Sequence, residues 1–447
     1  MTISADFLHR RRALRRNLKA INADGFSFSI MVGIAETYLP AFMLARGFGE
    51  LSAALIATLP VLLGSLLQLC APLLLVWLGA YRRFVVTVAA LQAGSVLVLS
   101  GLAIAGDVRP WMVFIPATIY WAAGLATGPA WNIWVEQLVP AQIRGGFFAR
   151  RSRLCQVGVL IGLISGGLML RLSGDLTLLA FAAMFAIGAV GRFVSALMLA
   201  RQTEVRLGQG GISGQPAAMP DLSVQAGLKL LVQLVRRPGA DGRLVLFFVA
   251  VQTAVYVSGP YFNPFMLKVL KLSWVDYMSL LSLGFLGKML SLPWAGRFAS
   301  RSGADRLMWV GTLGIVPVSM LWYFNQNFWY LACLQIFSGL VWGCYELAML
   351  LQFFRQIPAQ RRVALLTAYN VANSAAMVLG TLLGACMLYG LGRTTTGYLA
   401  VFVMSGCLRL TASLAMPGRR TALRQTYSAV RGYQKRPKEQ ALLENAA

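Results

Sequence analysis

The chain alternates between apolar runs of about 20 residues and shorter polar segments. A run of that length, at a rise of about 1.5 Å per residue, crosses the hydrocarbon core of a bilayer, which is about 30 Å thick. Because lipid cannot hydrogen-bond free backbone groups, we predict that each run is a helix. The pattern gives twelve predicted spans, numbered 1 to 12 in chain order: 22–45, 51–78, 84–105, 111–137, 154–170, 176–200, 243–267, 275–299, 307–324, 328–354, 364–389 and 396–416.

One polar segment is far longer than the others. Residues 201–242 contain the glycine-rich sequence Gly208–Pro216 and have no sustained apolar period, so we interpret them as a cytoplasmic linker. The chain then divides into five predicted units: a basic cytoplasmic N-terminal segment (1–21), a six-helix bundle (22–200), the linker (201–242), a second six-helix bundle (243–416) and a basic cytoplasmic tail (417–447).

The sequences on the two sides of the linker resemble each other. Tyr38–Leu44 returns as Tyr261–Leu267, and Gly79–Arg82 returns as Gly303–Arg306. Two further pairs are Pro140–Arg144 with Pro358–Arg362, and Gly158 and Gly162 with Gly380 and Gly384. The offsets are 223, 224, 218 and 222 residues, so the order and spacing are kept. Two copies in the same direction predict an all-α integral membrane protein with twelve transmembrane helices in two six-helix bundles related by a parallel repeat.

Composition and charge agree with a membrane protein. Of the 447 residues, 58% are hydrophobic and 12% charged, whereas soluble domains have about 25% charged residues. The net charge is +25, but few cations lie in the loops of one side, where we find only Arg46, Arg109, Arg171, Lys268, Lys271 and Arg393. The positive-inside rule therefore predicts both termini in the cytoplasm of a bacterial-type plasma (inner) membrane. We attribute the basic segments to topology and membrane lipids, with no nucleic-acid partner, and residues 1–20 to a surface helix.

Residue types also narrow the chemistry. All six cysteines lie in predicted spans without a Cys-x-x-Cys, so we expect neither disulfides nor a metal. His9 is the single histidine and lies in the basic N-terminal segment, which excludes a histidine-based site in the membrane. The chain has no Gly-x4-Gly-Lys-Ser/Thr sequence, so ATP is not the expected energy source. We expect no cofactor, no enzymatic activity and a monomer.

Polar side chains inside the spans are the candidate functional residues, because ionisable groups are costly in hydrocarbon. Glu36, near the middle of span 1, shares a helical face with Ser29, Gly33 and Pro40. It is the first candidate for substrate binding and proton coupling, and a structural pair is the alternative. Span 7 has a polar stripe that offers further binding candidates, with interhelical contacts as the alternative: Gln252, Tyr256 and Asn263.

In span 10, Glu346 is a second candidate for binding and coupling, with Trp342 on the same stripe. The alternative is a structural pair with Arg355 or Arg361. Lys288 lies at the centre of span 8, where it could pair with Glu346 or contact an anionic substrate group.

Spans 4, 6 and 12 supply the remaining polar groups. We expect binding roles for Trp131 and Asn132 of span 4. Arg192 of span 6 and Arg409 of span 12 are expected to be structural and to extend toward the cytoplasmic surface. Asp24, at the start of span 1, is expected near lipid headgroups or at an N-cap-like site.

The loops after spans 2 and 8 resemble a motif of the major facilitator superfamily: Gly, three residues, an acid, Arg, any residue, Gly, then basic residues. Ser300 occupies the acid position of the second copy, and Asp305 is the candidate substitute. The resemblance implies a substrate cavity lined by spans 1, 4, 7 and 10, and gating roles for Gly79, Arg82, Arg83, Gly296, Arg301, Gly303, Asp305 and Arg306. Span 4 lacks the Arg of many proton-coupled members, and span 5 lacks the antiporter Gly-Pro pair.

The expected function is a secondary active transporter that moves a small organic solute by alternating access, with protons as the candidate coupling ion. Aromatic groups, amides and acids favour export of an amphipathic or cationic compound. Lys288 keeps open the import of an anionic or zwitterionic metabolite. A transporter-derived sensor or an integral membrane enzyme is the alternative from another class.

Overall fold

The computed structural model describes residues 5–204, 240–356 and 359–416, so the tail 417–447 and most of the linker lie outside the described residues. Within the described part, the chain is helical and the helices follow the predicted spans. Spans 3 to 6 are Tyr81–Ile104, Pro110–Leu138, Ala141–Leu172 and Thr177–Ala200. Spans 8 to 12 are Trp274–Ser302, Ala304–Met320, Phe328–Gln356, Ala359–Gly390 and Thr395–Leu414.

Spans 1, 2 and 7 are interrupted helices. Span 1 consists of Ala5–Ile34, a 3-10 turn at Glu36–Tyr38 and Leu39–Ala45. Span 2 consists of Glu50–Leu55, Leu59–Leu67, a 3-10 turn at Gln68–Cys70 and Ala71–Leu78. Span 7 consists of Ala240–Ser258, a 3-10 turn at Gly259–Tyr261, Phe262–Pro264 and a π-helical turn at Phe265–Val269.

Eleven helices in the described residues are long and apolar enough to cross a membrane. The exception is span 9, whose α-helix has 17 residues before it tightens into a 3-10 turn at Leu321–Tyr323. With that span, twelve helices form the two-bundle arrangement that the sequence predicts. We call the membrane face near the start of span 1 and the end of span 12 the terminal face, and the opposite face the distal face.

The repeat is visible in equivalent contacts of the two halves. Tyr38 of span 1 donates a hydrogen bond to the carbonyl oxygen of Leu163 in span 5, at 2.6 Å. Tyr261 of span 7 donates in the same way to the carbonyl oxygen of Thr381 in span 11, also at 2.6 Å. Each tyrosine is the last residue of a 3-10 turn, so the interruption, its tyrosine and the partner helix are repeated together.

The glycines of spans 5 and 11 permit these helices to approach spans 1 and 7 closely. A Cβ atom at Gly162 would overlap with the carbonyl oxygen of Ile30, and one at Gly384 would overlap with that of Val257. The expected role of these glycines in helix packing is therefore confirmed.

The basic N-terminal segment differs from the expectation. It is helical, but the helix Ala5–Ile34 continues without a break into the membrane. A separate surface helix over residues 1–20 is therefore wrong for residues 5–20. The reason is that no Pro lies between Ala5 and Ile34, and the two glycines of this segment, Gly25 and Gly33, do not end the helix.

The two bundles are joined at the distal face. One apolar cluster, the distal cluster, contains fully buried side chains from both halves, among them Phe42, Phe181, Tyr261 and Tyr277. The rings of Phe181 and Trp274 lie 6.1 Å apart across the bundles, and those of Tyr38 and Tyr277 lie 6.2 Å apart. Spans 5 and 8 and spans 2 and 11 make the helix contacts between the halves.

Toward the terminal face the apolar clusters are separate. Phe248 and Tyr345 belong to a cluster of the second bundle alone. Phe84 and Trp134 belong to one of the first bundle alone. The bundles therefore pack together at the distal face and diverge toward the terminal face, as in one end state of alternating access.

We expect Gly167→Leu to weaken the distal seal, because a Cβ at Gly167 of span 5 would overlap with Met278 of span 8. In a cysteine-free background, spin labels at Asp107 and Thr395, which are exposed at the distal ends of opposite bundles, should report longer distances by double electron–electron resonance. Gly94→Leu is the matched control, because a Cβ there meets no atom within 4 Å. Equal distance distributions in all three proteins would contradict the role of this contact.

Candidate functional site

Glu36 lies at the interruption of span 1 and faces the interior of the protein. The helix ends at Ile34, and the 3-10 turn begins at Glu36 itself. The hydroxyl of Tyr120, in span 4, donates a short hydrogen bond to Glu36 Oε2. Tyr256 of span 7 lies close enough to interact electrostatically with the Glu36 carboxylate. Spans 1 and 4 thus bring an acid and a phenol into contact, and the charge of that acid acts on a second phenol in the other bundle.

A second polar group lies in the other bundle. Lys288 Nζ of span 8 is 2.5 Å from Glu346 Oε2 of span 10, and the two side chains are 24% and 43% exposed. On span 8 Lys288 faces away from the exposed Leu290, and on span 10 Glu346 lies opposite the exposed Phe337 but one turn from the exposed Leu350. The partly exposed ion pair bridges the gap between spans 8 and 10. The sequence left two arrangements open for Lys288, and the structure shows the first of them, an ion pair with Glu346.

The other predicted binding residues are divided between the two ends of the protein. Gln252 is half-buried one helical turn from Tyr256, on the same face of span 7. Asn263 lies distally, where its Oδ1 accepts a hydrogen bond from Tyr277 at 3.1 Å. The ring of Trp342 packs edge-on against Tyr345 at 5.7 Å, beside the terminal cluster of the second bundle.

Span 4 does not bring its two candidates to Glu36. Trp131 lies toward the terminal face, where the Arg151 guanidinium is 4.4 Å from its ring centroid and Phe148 packs against it. Asn132 is exposed one turn from exposed Glu136. The sequence did not identify Tyr120 as a candidate. It lies about three turns before Trp131 on the same face of span 4 and donates the hydrogen bond to Glu36.

A buried polar network lies behind this site in the first bundle. Asp24 Oδ1 accepts a hydrogen bond from Ser195 at 2.6 Å and lies 3.9 Å from Arg192 Nη1. Asp24 Oδ2 is 3.5 Å from Arg151 Nη2. Arg192 Nε donates to Gln92 Oε1 at 2.7 Å. Asp24 and Arg192 are only 4% and 3% exposed.

The network reaches the candidate site through span 3. Gln92 Nε2 donates to the backbone carbonyl oxygen of Tyr120 at 3.2 Å, so one amide connects Arg192 to the residue that holds Glu36. The expected position of Asp24 near the headgroups is therefore wrong. The sequence contains a signal for this network, because Asp24, Gln92 and Arg192 are polar residues in three spans of the same bundle.

Arg409 is the counterpart of Arg192 in the repeat. It is also 3% exposed, and it donates to the carbonyl oxygen of Ile315 at 2.9 Å and to Ser258 Oγ at 3.0 Å. No acidic side chain in the described ranges forms an ion pair with Arg409. The expectation that Arg192 and Arg409 extend to the surface is wrong, because backbone and side-chain acceptors inside each bundle bind them instead.

The predicted gating loops occupy the terminal face. Gly79 and Gly303 have φ angles of 69° and 89°, a left-handed region that favours glycine, at equivalent places in the two halves. Arg82 Nη2 lies 2.8 Å from Glu204 Oε2, and Arg83 Nε lies 3.4 Å from Glu204 Oε1. The acid that the first motif lacks is thus supplied by Glu204, which follows span 6.

In the second half, Asp305 Oδ1 accepts a hydrogen bond from Gln352 Nε2 of span 10 at 2.5 Å. The acid at position 305 therefore joins the start of span 9 to span 10. Gly296 lies within span 8, Arg301 is exposed at its end, and Arg306 is half-buried at the start of span 9.

The family model described as Major Facilitator Superfamily matches residues 92–381, which is more than half of the chain. The chain belongs to the major facilitator superfamily. No curated protein sequence matches it. The superfamily fold and its multi-pass membrane character agree with the twelve spans and with a transporter.

Solved structures of this superfamily share the fold at low sequence identity. The nucleoside transporter NupG has a TM-score of 0.65 and 16% identity, over 89% of this chain and 98% of that one. A bacterial homolog of the human lysosomal transporter Spinster, in an inward-facing and unoccupied conformation, has a TM-score of 0.65 and 14% identity, over 93% and 97%. The inward-open xylose transporter XylE from E. coli has a TM-score of 0.62 and 14% identity, over 92% and 98%.

Asp24→Asn should destabilise this superfamily member by about 3–5 kcal/mol, because it leaves the buried Arg192 without its carboxylate. Thermal unfolding in detergent measures the loss. Asp107→Asn, at an exposed loop position, should change the stability little. The double variant Asp24→Asn with Arg192→Gln should recover part of the loss, and an unchanged melting temperature in Asp24→Asn would rule out a structural ion pair.

Proposed function

We propose that this protein is a secondary active transporter that carries a small organic solute by alternating access, and that proton binding at Glu36 couples transport to the proton gradient. The observation that supports the proposal is the position of Glu36. It is a carboxylate at the interruption of a spanning helix, bonded to Tyr120 and close to Tyr256 of the opposite bundle.

The chemistry of this group suits reversible protonation. As a carboxylate, Glu36 accepts the hydrogen bond of Tyr120; when protonated, it can itself donate. A proton therefore changes which partner it binds. Because Tyr256 lies in the other bundle, such a change alters the attraction between bundles, which is what coupling requires.

The Lys288–Glu346 pair favours a polar, zwitterionic or uncharged solute. Each charge of the pair neutralises the other, so the gap has no uncompensated cation or anion from these two residues. A zwitterionic solute can replace the Lys288–Glu346 ion pair with two ion pairs, one between its anionic group and Lys288 and one between its cationic group and Glu346. This observation favours a zwitterionic or uncharged solute over an anionic or a cationic one.

The orientation follows from charge. We propose that the terminal face is cytoplasmic in a bacterial-type inner membrane, because it carries most of the basic residues. In this orientation the divergent end of the bundles opens to the cytoplasm. The gating residues Arg82, Arg83 and Glu204 then lie at the cytoplasmic ends of spans 2, 3 and 6.

The test begins with thermal stabilisation of the purified protein by nucleosides, pentoses and zwitterionic amino acids, followed by transport of the stabilising solute into proteoliposomes. Glu36→Gln replaces the titratable carboxyl group with an amide, which stays neutral at every pH and can still form hydrogen bonds. We expect it to retain solute counterflow but to lose accumulation driven by an imposed pH gradient. Glu136→Gln, at an exposed position of span 4, is the matched control. If Glu36→Gln accumulates solute as the unmodified protein does, Glu36 is not the coupling residue.

The Lys288–Glu346 pair can be tested by exchanging its charges. Because both side chains are partly exposed, we expect the pair to contribute at most about 1 kcal/mol to stability. Lys288→Glu with Glu346→Lys should therefore keep the melting temperature and still lose most of the solute-induced stabilisation, since the charges are misplaced. Full solute binding by the exchanged pair would show that it is structural.

A further inference from the structure

A basic cavity lies at the terminal face, between the start of span 1 and the end of span 6. Its volume is about 440 Å³, within the range of about 300–1,000 Å³ typical of small-molecule sites. Five cations line it, together with three apolar residues: Arg12, Arg15, Arg16, Lys19 and Arg201, with Ala20, Ala23 and Met198. None of the residues proposed for the transport site or for gating lines it.

No acidic side chain in the part of the chain that the structure describes forms an ion pair with the cations of this cavity. Arg12 and Arg16, and likewise Arg15 and Lys19, are four residues apart on one helix, where like charges repel. An anion in the cavity would offset the repulsion between these like charges, so their arrangement favours binding of an anion.

The surroundings of the cavity favour a lipid over a water-soluble anion. Ala20, Ala23 and Met198 give it an apolar part. Below Arg201, span 6 presents exposed apolar side chains toward the membrane centre, including Leu197, Val194 and Val190. A headgroup in the cavity would therefore place its acyl chains along an apolar helix face, whereas a free phosphate compound gains nothing from that face.

We propose that this cavity binds the phosphodiester headgroup of an anionic phospholipid from the leaflet at the terminal face. Arg15, Arg16 and Arg201 supply guanidinium donors, which suit phosphate oxygens. The bound lipid joins spans 1 and 6, next to the contact in which Asn17 Oδ1 accepts from the Thr203 backbone N–H at 3.0 Å. The proposal does not depend on the identity of the transported solute.

The test uses the full-length protein in detergent, titrated with dioleoylphosphatidylglycerol or dioleoylphosphatidylcholine. Thermal unfolding and native mass spectrometry give the affinities. Phosphatidylglycerol should bind and stabilise more strongly than phosphatidylcholine. The triple variant Arg15→Gln, Arg16→Gln and Arg201→Gln should bind phosphatidylglycerol roughly 100-fold more weakly, because each cation raises the affinity for an anionic lipid about fivefold.

The matched control removes three exposed cations outside the cavity, Arg150→Gln, Arg153→Gln and Arg297→Gln, and should keep the affinity. Equal melting temperatures of all three proteins in phosphatidylcholine establish that the variants fold. Equal loss in the control, or no preference for phosphatidylglycerol, would overturn the site. Stabilisation by inorganic phosphate or ATP that matches that of the lipid, and that the triple variant abolishes, would overturn the lipid assignment in favour of a soluble phosphate compound.

Discussion

The structure depends on one constraint: a charged side chain inside hydrocarbon must find its partners within the protein. The spans hold few charges away from their ends, and these contact side chains or backbone of other helices. Asp24 and Arg192 share a buried network, and Lys288 pairs with Glu346. Because these contacts join helices that are distant in sequence, they determine which faces of the helices point inward, and the remaining apolar faces are left for lipid.

The same constraint explains why the candidate site is where it is. At Glu36 the α-helix of span 1 is replaced by a 3-10 turn. This places irregular backbone, together with a carboxylate, in the membrane interior. Irregular backbone is stable at this depth only beside protein or water, and here Tyr120 supplies the protein partner. On the distal side, aromatic packing between the bundles excludes water, while the terminal side has separate clusters. The polar groups thus lie between a sealed end and a divergent end.

Sequence patterns predicted the features that depend on local properties. The lengths of the apolar runs predicted the spans. The repeated sequence segments that begin at Tyr38 and Tyr261 predicted two equivalent bundles, and the equivalent hydrogen bonds of these tyrosines to spans 5 and 11 agree with that prediction. Pair identities could not be predicted in the same way, because one sequence does not tell which helices are neighbours. Hence Tyr120 and Glu204 were missed as partners. Arg192 was expected at the surface because its long side chain can reach it, but an acid and an amide lie closer.

The unbroken helix from Ala5 to Ile34 connects two depths of the membrane. Its 30 residues correspond to about 45 Å at 1.5 Å per residue, more than the thickness of the hydrocarbon core. Because the helix is continuous, a tilt that the surrounding leaflet imposes on its basic end is carried toward Ile34, two residues before Glu36. The composition of that leaflet thus has a mechanical route to the carboxylate.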